Sequence, residues 1–339
     1  MTEVQFYTIK EFTSEKGELH KNLKIAYSIT GKINAEKSNV VWICHAFTAN
    51  ALPETWWPGL LGDGKFFSPE NYCMICANIL GSPYGSTSPL DINSETQKPY
   101  YRDFPLFTVR DIVKTQIILA KHLKIMSIHL IIGGSIGGFQ ALEWAIMEPK
   151  MIKHLILIAS GSKTTAWRRA HNATQRMIIE SDSGFYSDSP EGGINGMKAA
   201  RAMALLSYRN AEAYEMTQTE NDDDKLTSFR ADSYQRYQGE KLAKRFNAYS
   251  YYALLNMLDT HDIGRKRGGE TAALNKIEAK TLILAIDSDL LFTINDQKRM
   301  QENIPNSKFQ LIHSKFGHDG FLLENEQISI NLEAFLNSN

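Results

Sequence analysis

Cysteine is scarce in this sequence, with only three residues (Cys44, Cys73 and Cys76) in a chain of 339. Three cysteines cannot build a disulfide framework, and their scarcity favours a reducing compartment, so we expect a cytoplasmic protein. Long apolar runs are also missing, since none approaches the roughly 20 residues that are needed to cross a bilayer. The polar N-terminal segment, residues 1–18, contains four acidic residues and lacks the pattern of a signal peptide.

An excess of charge of either sign is absent as well. The 37 basic and 38 acidic residues leave a net charge of −1, whereas a nucleic-acid binder or a polybasic membrane protein needs a strong cationic field. Hydrophobic residues make up 43% and charged residues 22% of the chain, as in ordinary globular proteins. We therefore expect a folded protein of one or two domains that binds neither nucleic acid nor a membrane.

Short apolar runs rich in β-branched residues alternate with segments of helical periodicity. Solidly apolar runs are typical of strands that are covered on both faces, and their alternation with helices predicts an α/β layer with a mostly parallel sheet. Helical spacing is clearest at 108–123 and 139–147, where Pro149 ends the second helix. The predicted strands lie at 23–29, 40–44, 72–77, 128–132, 154–159, 281–285 and 309–312, and a last helix at 322–336.

The composition and the periodicity of the sequence change between about Lys163 and about Thr271. Tyrosine, arginine, glutamine and methionine become frequent there, and helical spacings replace the β-branched runs. We interpret 163–275 as a helical lid that is inserted into one α/β core, and the core as residues 1–162 and 276–339.

The segment Gly133-Gly134-Ser135-Ile136-Gly137 matches the G-x-S-x-G pattern of a nucleophile elbow. Such a sharp strand-to-helix turn holds the serine in a strained conformation, and it needs small residues two positions before and after the serine. Here the segment follows an apolar strand and precedes a helix, as the pattern requires. We predict that Ser135 is a nucleophile rather than an idle serine in a glycine-rich turn.

An elbow serine needs an acid and a base, which follow it in the order Ser, Asp or Glu, His. His318 lies in a loop after the last predicted strand and is the expected base. Asp287 and Asp289 both follow the strand at 281–285 and compete for the role of the acid. We favour Asp289, which lies further beyond the end of the strand. His313 is close enough in sequence to be mistaken for the base.

The loop His45-Ala46-Phe47-Thr48 follows the strand at 40–44. In this architecture that loop supplies one backbone N–H to the oxyanion hole, and the residue after the nucleophile supplies the other. We therefore predict Phe47 and Ile136 as the two donors. His313 and His318 have no third ligand at a suitable spacing, so we predict no metal site.

With these residues in place, the sequence resembles the homoserine O-acetyltransferases of methionine biosynthesis. The resemblance covers roughly residues 40–325. In the extended elbow, Gly133-Gly134-Ser135-Ile136-Gly137-Gly138 is followed by Gln140-Ala141-Leu142-Glu143-Trp144-Ala145, and this longer segment is far more specific than the bare five-residue motif. The other matching segments lie at 45–48, 56–60, 78–81, 84–87, 103–105, 108–111, 237–239 and 317–322.

The resemblance implies an α/β-hydrolase fold with a helical lid and an acyltransferase that works on acetyl-CoA and L-homoserine. It implies that Ser135, Asp289 and His318 act as nucleophile, acid and base, and that acetyl-CoA is a substrate rather than a bound cofactor. It also implies a homodimer that is formed through the lid helices.

The substrate-binding residues of the family match Arg201, Tyr208 and Asp319. The residue pattern supports Arg201 independently, because it shares a helical stripe with Met197 and Leu205. A guanidinium on an apolar face is costly unless it meets an anion. A substrate carboxylate would serve, and a structural salt bridge to a lid carboxylate is the alternative.

Other functions stay open on the sequence alone. The same triad suits an esterase or thioesterase in which water resolves the acyl-enzyme, and the transferase could use succinyl-CoA or L-serine. Phe47 stands where the family usually has leucine, beside the oxyanion hole, where the size of the acyl group would be sensed. A non-catalytic binding protein would require a broken triad, and none is visible.

Overall fold

The structure, a computed structural model, describes residues 2–338. Its strands are β1 Gln5–Thr13, β2 Leu19–Thr30, β3 Val40–Cys44, β4 Cys73–Ala77, β5 Ile128–Gly134, β6 Ile152–Ile158, β7 Lys280–Ile286 and β8 Ser307–Ile312. They form one sheet in the order β1-β2-β4-β3-β5-β6-β7-β8. The strand β2 runs antiparallel to β1 and β4, and the other neighbours pair in parallel. The predicted, mostly parallel sheet is confirmed.

Helices cover both faces of this sheet and form the long segment between β6 and β7. They are α1 Val109–His122, α2 Ile136–Met147, α3 Ala166–Glu180, α4 Ile194–Tyr208, α5 Ala211–Gln218, α6 Arg230–Ala243, α7 Ala248–Asp259, α8 Glu270–Leu274, α9 Ile294–Asn303, α10 Gly320–Leu323 and α11 Asn325–Asn337. None of the helices within residues 2–338 combines the length and apolar character that crossing a membrane requires.

The two faces of the sheet bury separate apolar clusters, and strand periodicity decides which residue joins which. In β3, Trp42 packs with the cluster that includes α1 and α2, whereas Val41 and Ile43 pack with the cluster that includes α11. Successive side chains of a strand point to opposite faces. Because both faces are covered, all five residues of β3 are buried, which is why this strand was readable as a continuous apolar run.

The main differences from the sequence prediction lie at the margins of the fold. The strand β1 was missed because only Ile9 and Phe12 of its nine residues are buried, so its sequence looks polar. The helix α9 was also missed, since its exposed face dominates its composition. The predicted last helix is two helices, because the backbone leaves the helical conformation at Glu324, between α10 and α11.

The chain that returns from α7 toward β7 is tied to the core by partly buried ion pairs. Arg110 of α1 contacts Glu143 of α2 and Glu15, each at 3.1 Å. Arg267 then bonds Glu143 at 2.7 Å, and Arg265 bonds Glu15 at 2.8 Å. These pairs anchor one end of the 163–275 segment to α2, the helix that begins at Ser135.

Candidate active site

The turn between β5 and α2 presents Ser135 at the carboxyl end of the parallel sheet. Ser135 has φ 57° and ψ −127°, a positive φ that is uncommon for a residue with a side chain. A Cβ at Gly133 would lie 2.1 Å from the Gly137 carbonyl carbon, and a Cβ at Gly137 would lie 2.1 Å from the Cys44 oxygen. Both glycines are therefore required sterically, and the turn has the geometry of a nucleophile elbow.

Ser135, His318 and Asp289 are joined by two hydrogen bonds. The Ser135 Oγ lies 2.8 Å from His318 Nε2, and His318 Nδ1 lies 2.7 Å from Asp289 Oδ2. The Asp289 Oδ1 accepts the backbone N–H groups of Leu291 at 2.7 Å and Phe292 at 3.0 Å. The carboxylate is thus oriented by two fixed donors, and the three side chains have the arrangement of a nucleophile, a base and an orienting acid.

The competing pair, Asp287 and His313, lies outside this arrangement. His313 Nδ1 is 2.8 Å from Asp287 Oδ2, and the His313 side chain is 76% exposed. The two candidate acids therefore each hold one of the two candidate histidines, but the histidine that reaches Ser135 is bonded to Asp289.

The two predicted oxyanion donors lie on either side of the nucleophile. Phe47 lies in the loop after β3, and Ile136 is the first residue of α2. Within residues 2–338 neither backbone N–H donates to another group of the protein. A helix N-terminus also favours negative charge at this point. The pair is available to the oxyanion that would develop on the carbonyl oxygen of a substrate whose carbonyl carbon Ser135 attacks.

A cavity of about 370 Å³ opens onto the Ser135 hydroxyl. Residues of both the core and the 163–275 segment line this cavity. Arg201 and Tyr208 come from the 163–275 segment, and Asp319, Phe47 and Ser135 come from the core. Sequence reasoning did not find Arg245, which also lines the cavity and donates to the Thr48 carbonyl at 2.5 Å and to the Tyr84 hydroxyl. The sequence signal for Arg245 was weak, because it stands in an exposed, generally basic stretch.

Arg201 has no carboxylate partner among the described residues. Its guanidinium lies over the Tyr208 ring, 5.2 Å from the ring centre, and its Nε is buried without an acceptor. Burial raises the pKa of Tyr208, so the phenol stays neutral near pH 7. The alternative of a structural salt bridge to a lid carboxylate is therefore not what the structure contains, and the cationic group remains available to an anion in the cavity.

Asp319 follows His318 directly and faces the same cavity, but its carboxylate is not free. Arg209 Nε donates to Asp319 Oδ2 at 3.2 Å, and both side chains are about one-fifth exposed. Arg209 was missed from the sequence, although it immediately follows Tyr208 at the end of α4. One carboxylate oxygen of Asp319 is engaged by this arginine, and the other remains open to a ligand.

A second, much smaller cavity of about 50 Å³ lies beside Ser135. Phe47 and Ile136 line it together with Phe139, so it adjoins both predicted oxyanion donors. Phe47 is held there by a ring contact with Tyr251 at 4.7 Å. The space that an acyl group on Ser135 would meet is therefore tightly bounded on this side.

No group of three or more His, Cys, Asp or Glu side chains within residues 2–338 is arranged to hold a metal ion. The three cysteines are buried and unpaired, and burial raises the pKa of Cys73 to about 11. None of the three cysteines lines the cavity onto which the Ser135 hydroxyl opens.

Sequence comparison identifies the fold family of this chain and proteins that are similar to it. The family profile described as alpha/beta hydrolase fold matches residues 39–325, in agreement with the predicted fold class. A protein named homoserine O-acetyltransferase from Cyclobacterium marinum is 43% identical over 335 residues, which cover 99% of this chain and 95% of that protein.

Solved structures share the same architecture. The homoserine O-acetyltransferase from Bacillus anthracis is 24% identical, with a TM-score of 0.92 over 100% of this chain and 98% of that one. The esterase E22 is also 24% identical, with a TM-score of 0.90 over 99% of this chain and 100% of that one. At this identity the likeness shows the fold alone, so it does not separate a transferase from an esterase.

Proposed function

The chain belongs to the homoserine O-acetyltransferase family of the α/β-hydrolase fold, and on this premise we propose that it transfers an acetyl group from acetyl-CoA to the hydroxyl of L-homoserine. The observation that carries this proposal is Arg201, a guanidinium without a carboxylate partner that lines the same cavity as the Ser135 hydroxyl. An esterase of simple acyl groups has no need of such a cation. An amino-acid acceptor brings the carboxylate that would neutralise it.

The first half-reaction acylates the serine. His318 takes the proton from Ser135 Oγ, which attacks the thioester carbon of acetyl-CoA. The oxyanion accepts hydrogen bonds from the Phe47 and Ile136 N–H groups. As the carbon–sulfur bond breaks, His318 returns the proton to the CoA thiolate, and an acetyl-serine remains. Asp289 keeps the imidazole in the tautomer with the proton on Nδ1.

The second half-reaction passes the acetyl group to the acceptor. The homoserine carboxylate binds Arg201, and its ammonium binds the open oxygen of Asp319, beside Arg209. His318 then removes the proton of the homoserine hydroxyl, whose oxygen attacks the acetyl carbon. The bond to Ser135 Oγ breaks, and the serine recovers the proton from His318. The helices over the cavity limit the access of water, which would otherwise hydrolyse the intermediate.

The small cavity beside Ser135 supports acetyl-CoA as the donor. An acetyl group places only a methyl in this cavity of about 50 Å³, whereas a succinyl group replaces that methyl with two methylenes and a carboxylate. Phe47 narrows this space with a ring that packs on Tyr251. The enzyme carries no bound cofactor in this mechanism, because the triad and the acyl donor supply all of the chemistry.

Two further properties belong to the same proposal. A biosynthetic role with soluble substrates is consistent with a cytoplasmic location. A homodimer through the lid helices is supported by large apolar side chains that are more than half exposed on α3, α4, α5 and α6, namely Met177, Leu206, Met216 and Tyr237. Sedimentation of the purified protein tests the dimer, and Leu206→Glu is expected to yield monomers.

The test of the function is CoA release from acetyl-CoA by the purified protein, with and without L-homoserine. Release that depends on homoserine, with O-acetylhomoserine identified by mass, is the expected result. Succinyl-CoA and L-serine serve as matched controls for donor and acceptor. Release at the same rate without homoserine would identify a thioesterase and overturn the proposal.

A further inference from the structure

The two oxyanion donors belong to segments that are remote in sequence. Phe47 lies in the loop after β3, and Ile136 begins α2, so no covalent constraint fixes the distance between their N–H groups. An oxyanion hole works only when its donors are held in place before the charge develops. The pairing of β3 with β5 holds the segments together as far as Cys44 and Gly133, and contacts beyond the sheet must set the spacing of the two donors.

A single side chain bonds both segments. The Gln140 Nε2 donates to the His45 carbonyl at 3.0 Å and to the Ile136 carbonyl at 3.4 Å. Gln140 is 3% exposed, and its Oε1 accepts from Gln116 Nε2 at 2.8 Å. The opposite orientation of the amide would turn its oxygen toward two carbonyl oxygens, so these bonds fix which end faces the oxyanion loop.

The loop after β3 is fixed on its other side by the ring of His45. His45 Nδ1 donates to the Ala46 carbonyl at 2.9 Å, and Nε2 accepts the Ile79 N–H at 3.1 Å. Burial lowers the pKa of His45 to about 4, so the ring stays neutral and keeps these bonds at neutral pH. The ring thus joins the loop to the segment that follows β4, and the backbone carbonyl of the same residue joins it to α2 through Gln140.

We propose that Gln140 is a positioning residue for acyl transfer, because its amide ties the loop that carries the Phe47 N–H to the helix that carries the Ile136 N–H. The inference rests on the acyl-serine chemistry proposed above. Gln140 lines neither of the two cavities beside Ser135. It acts on the rate only through the distance between the two donors.

The test replaces Gln140 with methionine, which has similar length and no donor. Removing one oxyanion donor costs about 10²–10³ in rate, so displacing one is expected to cost about 10–100-fold. Both half-reactions form an oxyanion at the same place. The burst rate and the steady-state rate with p-nitrophenyl acetate should therefore fall by the same factor, with KM little changed. A purely structural role would lower the melting temperature and leave the rates of the folded enzyme unchanged.

Asn39 provides a matched control at the opposite end of β3. Its Nδ2 donates to two carbonyls, Lys32 at 2.9 Å and Asn71 at 3.2 Å, and its Oδ1 accepts the Asn34 N–H at 3.0 Å. Asn39→Leu removes the same set of bonds far from the oxyanion hole. It is expected to lower the melting temperature with rates within threefold of wild type. Gln140→Glu, whose protonated carboxyl donates at most one hydrogen, should lose activity to an intermediate degree.

The outcomes separate this inference from the proposed function. Equal rates in folded Gln140→Met and wild type, or a loss in only one half-reaction, would overturn the positioning role alone. If Gln140→Met does not fold, the rates of Gln140→Glu are compared with those of wild type instead, and equal rates would likewise overturn the positioning role. Wild-type rates in Ser135→Ala would instead overturn the acyl-serine mechanism, and with it the inference.

Discussion

Replacing Asp289 with asparagine is expected to reverse the tautomer of the base. The Oδ1 of Asp289 accepts two backbone N–H groups, from Leu291 and Phe292, while Oδ2 accepts the His318 Nδ1 proton. In Asp289→Asn, the amide oxygen must stay with the two backbone donors. The amide NH₂ then faces His318 Nδ1 and donates to it, so the imidazole proton moves to Nε2.

An imidazole with its proton on Nε2 cannot accept the proton of Ser135, which lies 2.8 Å away. We expect kcat to fall about 10⁴-fold, equivalent to about 5 kcal/mol of lost transition-state stabilisation. The fold should survive, because the substitution keeps the size of the side chain and both bonds to the backbone. The assay is thiol release from acetyl-CoA in the presence of homoserine, combined with a thermal melt.

Asp287→Asn is the control, since Asp287 binds His313 at 2.8 Å in the same type of Asp–His pair. Its activity should stay within twofold of wild type. Asp289→Asn with more than a tenth of wild-type activity would refute the tautomer argument. An equally large loss in Asp287→Asn would refute the assignment of the acid.

Three other predictions concern the nucleophile, the acceptor site and the response to acid. Ser135→Ala keeps the backbone bonds of the elbow and should lower kcat by about 10³–10⁶. If most of the CoA release survived in this variant, the assignment of Ser135 as the nucleophile would be refuted. Arg201→Ala should raise KM for homoserine about 10- to 100-fold while acylation by acetyl-CoA, measured alone, changes little; equal losses in both would count against its role. The free energy of unfolding should fall as the pH drops from 6.5 to 4, because burial lowers the pKa of His45 to about 4, whereas the unfolded chain takes up the proton near pH 6.5. The His45 side chain accounts for a loss of about 3 kcal/mol in the free energy of unfolding by pH 4. Urea unfolding at several pH values measures this loss, and His45→Gln should reduce the dependence of the free energy of unfolding on pH.

The motifs beside the elbow gain a physical meaning from the contacts described above. The glycine at 137 lets the end of β3 approach α2 within the space that a Cβ would fill, and Gln140 of the same helix then bonds the carbonyl that follows. One helix therefore follows the turn, begins with the Ile136 N–H and carries the side chain that bonds the loop of Phe47.

The sequence by itself determined the buried strands, the elbow and the helical character of 163–275. These features depend on local physics: a strand covered on both faces is apolar throughout, and a strained turn admits only small neighbours. Elements at the edge of the fold, such as β1, could not be predicted from the sequence, because half-exposed elements have a weak apolar pattern.

Only the tertiary structure decided which side chains meet. It joined His318 to Asp289 rather than Asp287, left Arg201 without a carboxylate partner, and occupied one oxygen of Asp319 with Arg209. These contacts link residues from 29 to more than 100 positions apart. His318 meets Asp289 because the carboxyl ends of the neighbouring strands β7 and β8 bring their loops together, and Arg209 meets Asp319 because the end of α4 packs on the same loop. No local spacing in the chain encodes these distances.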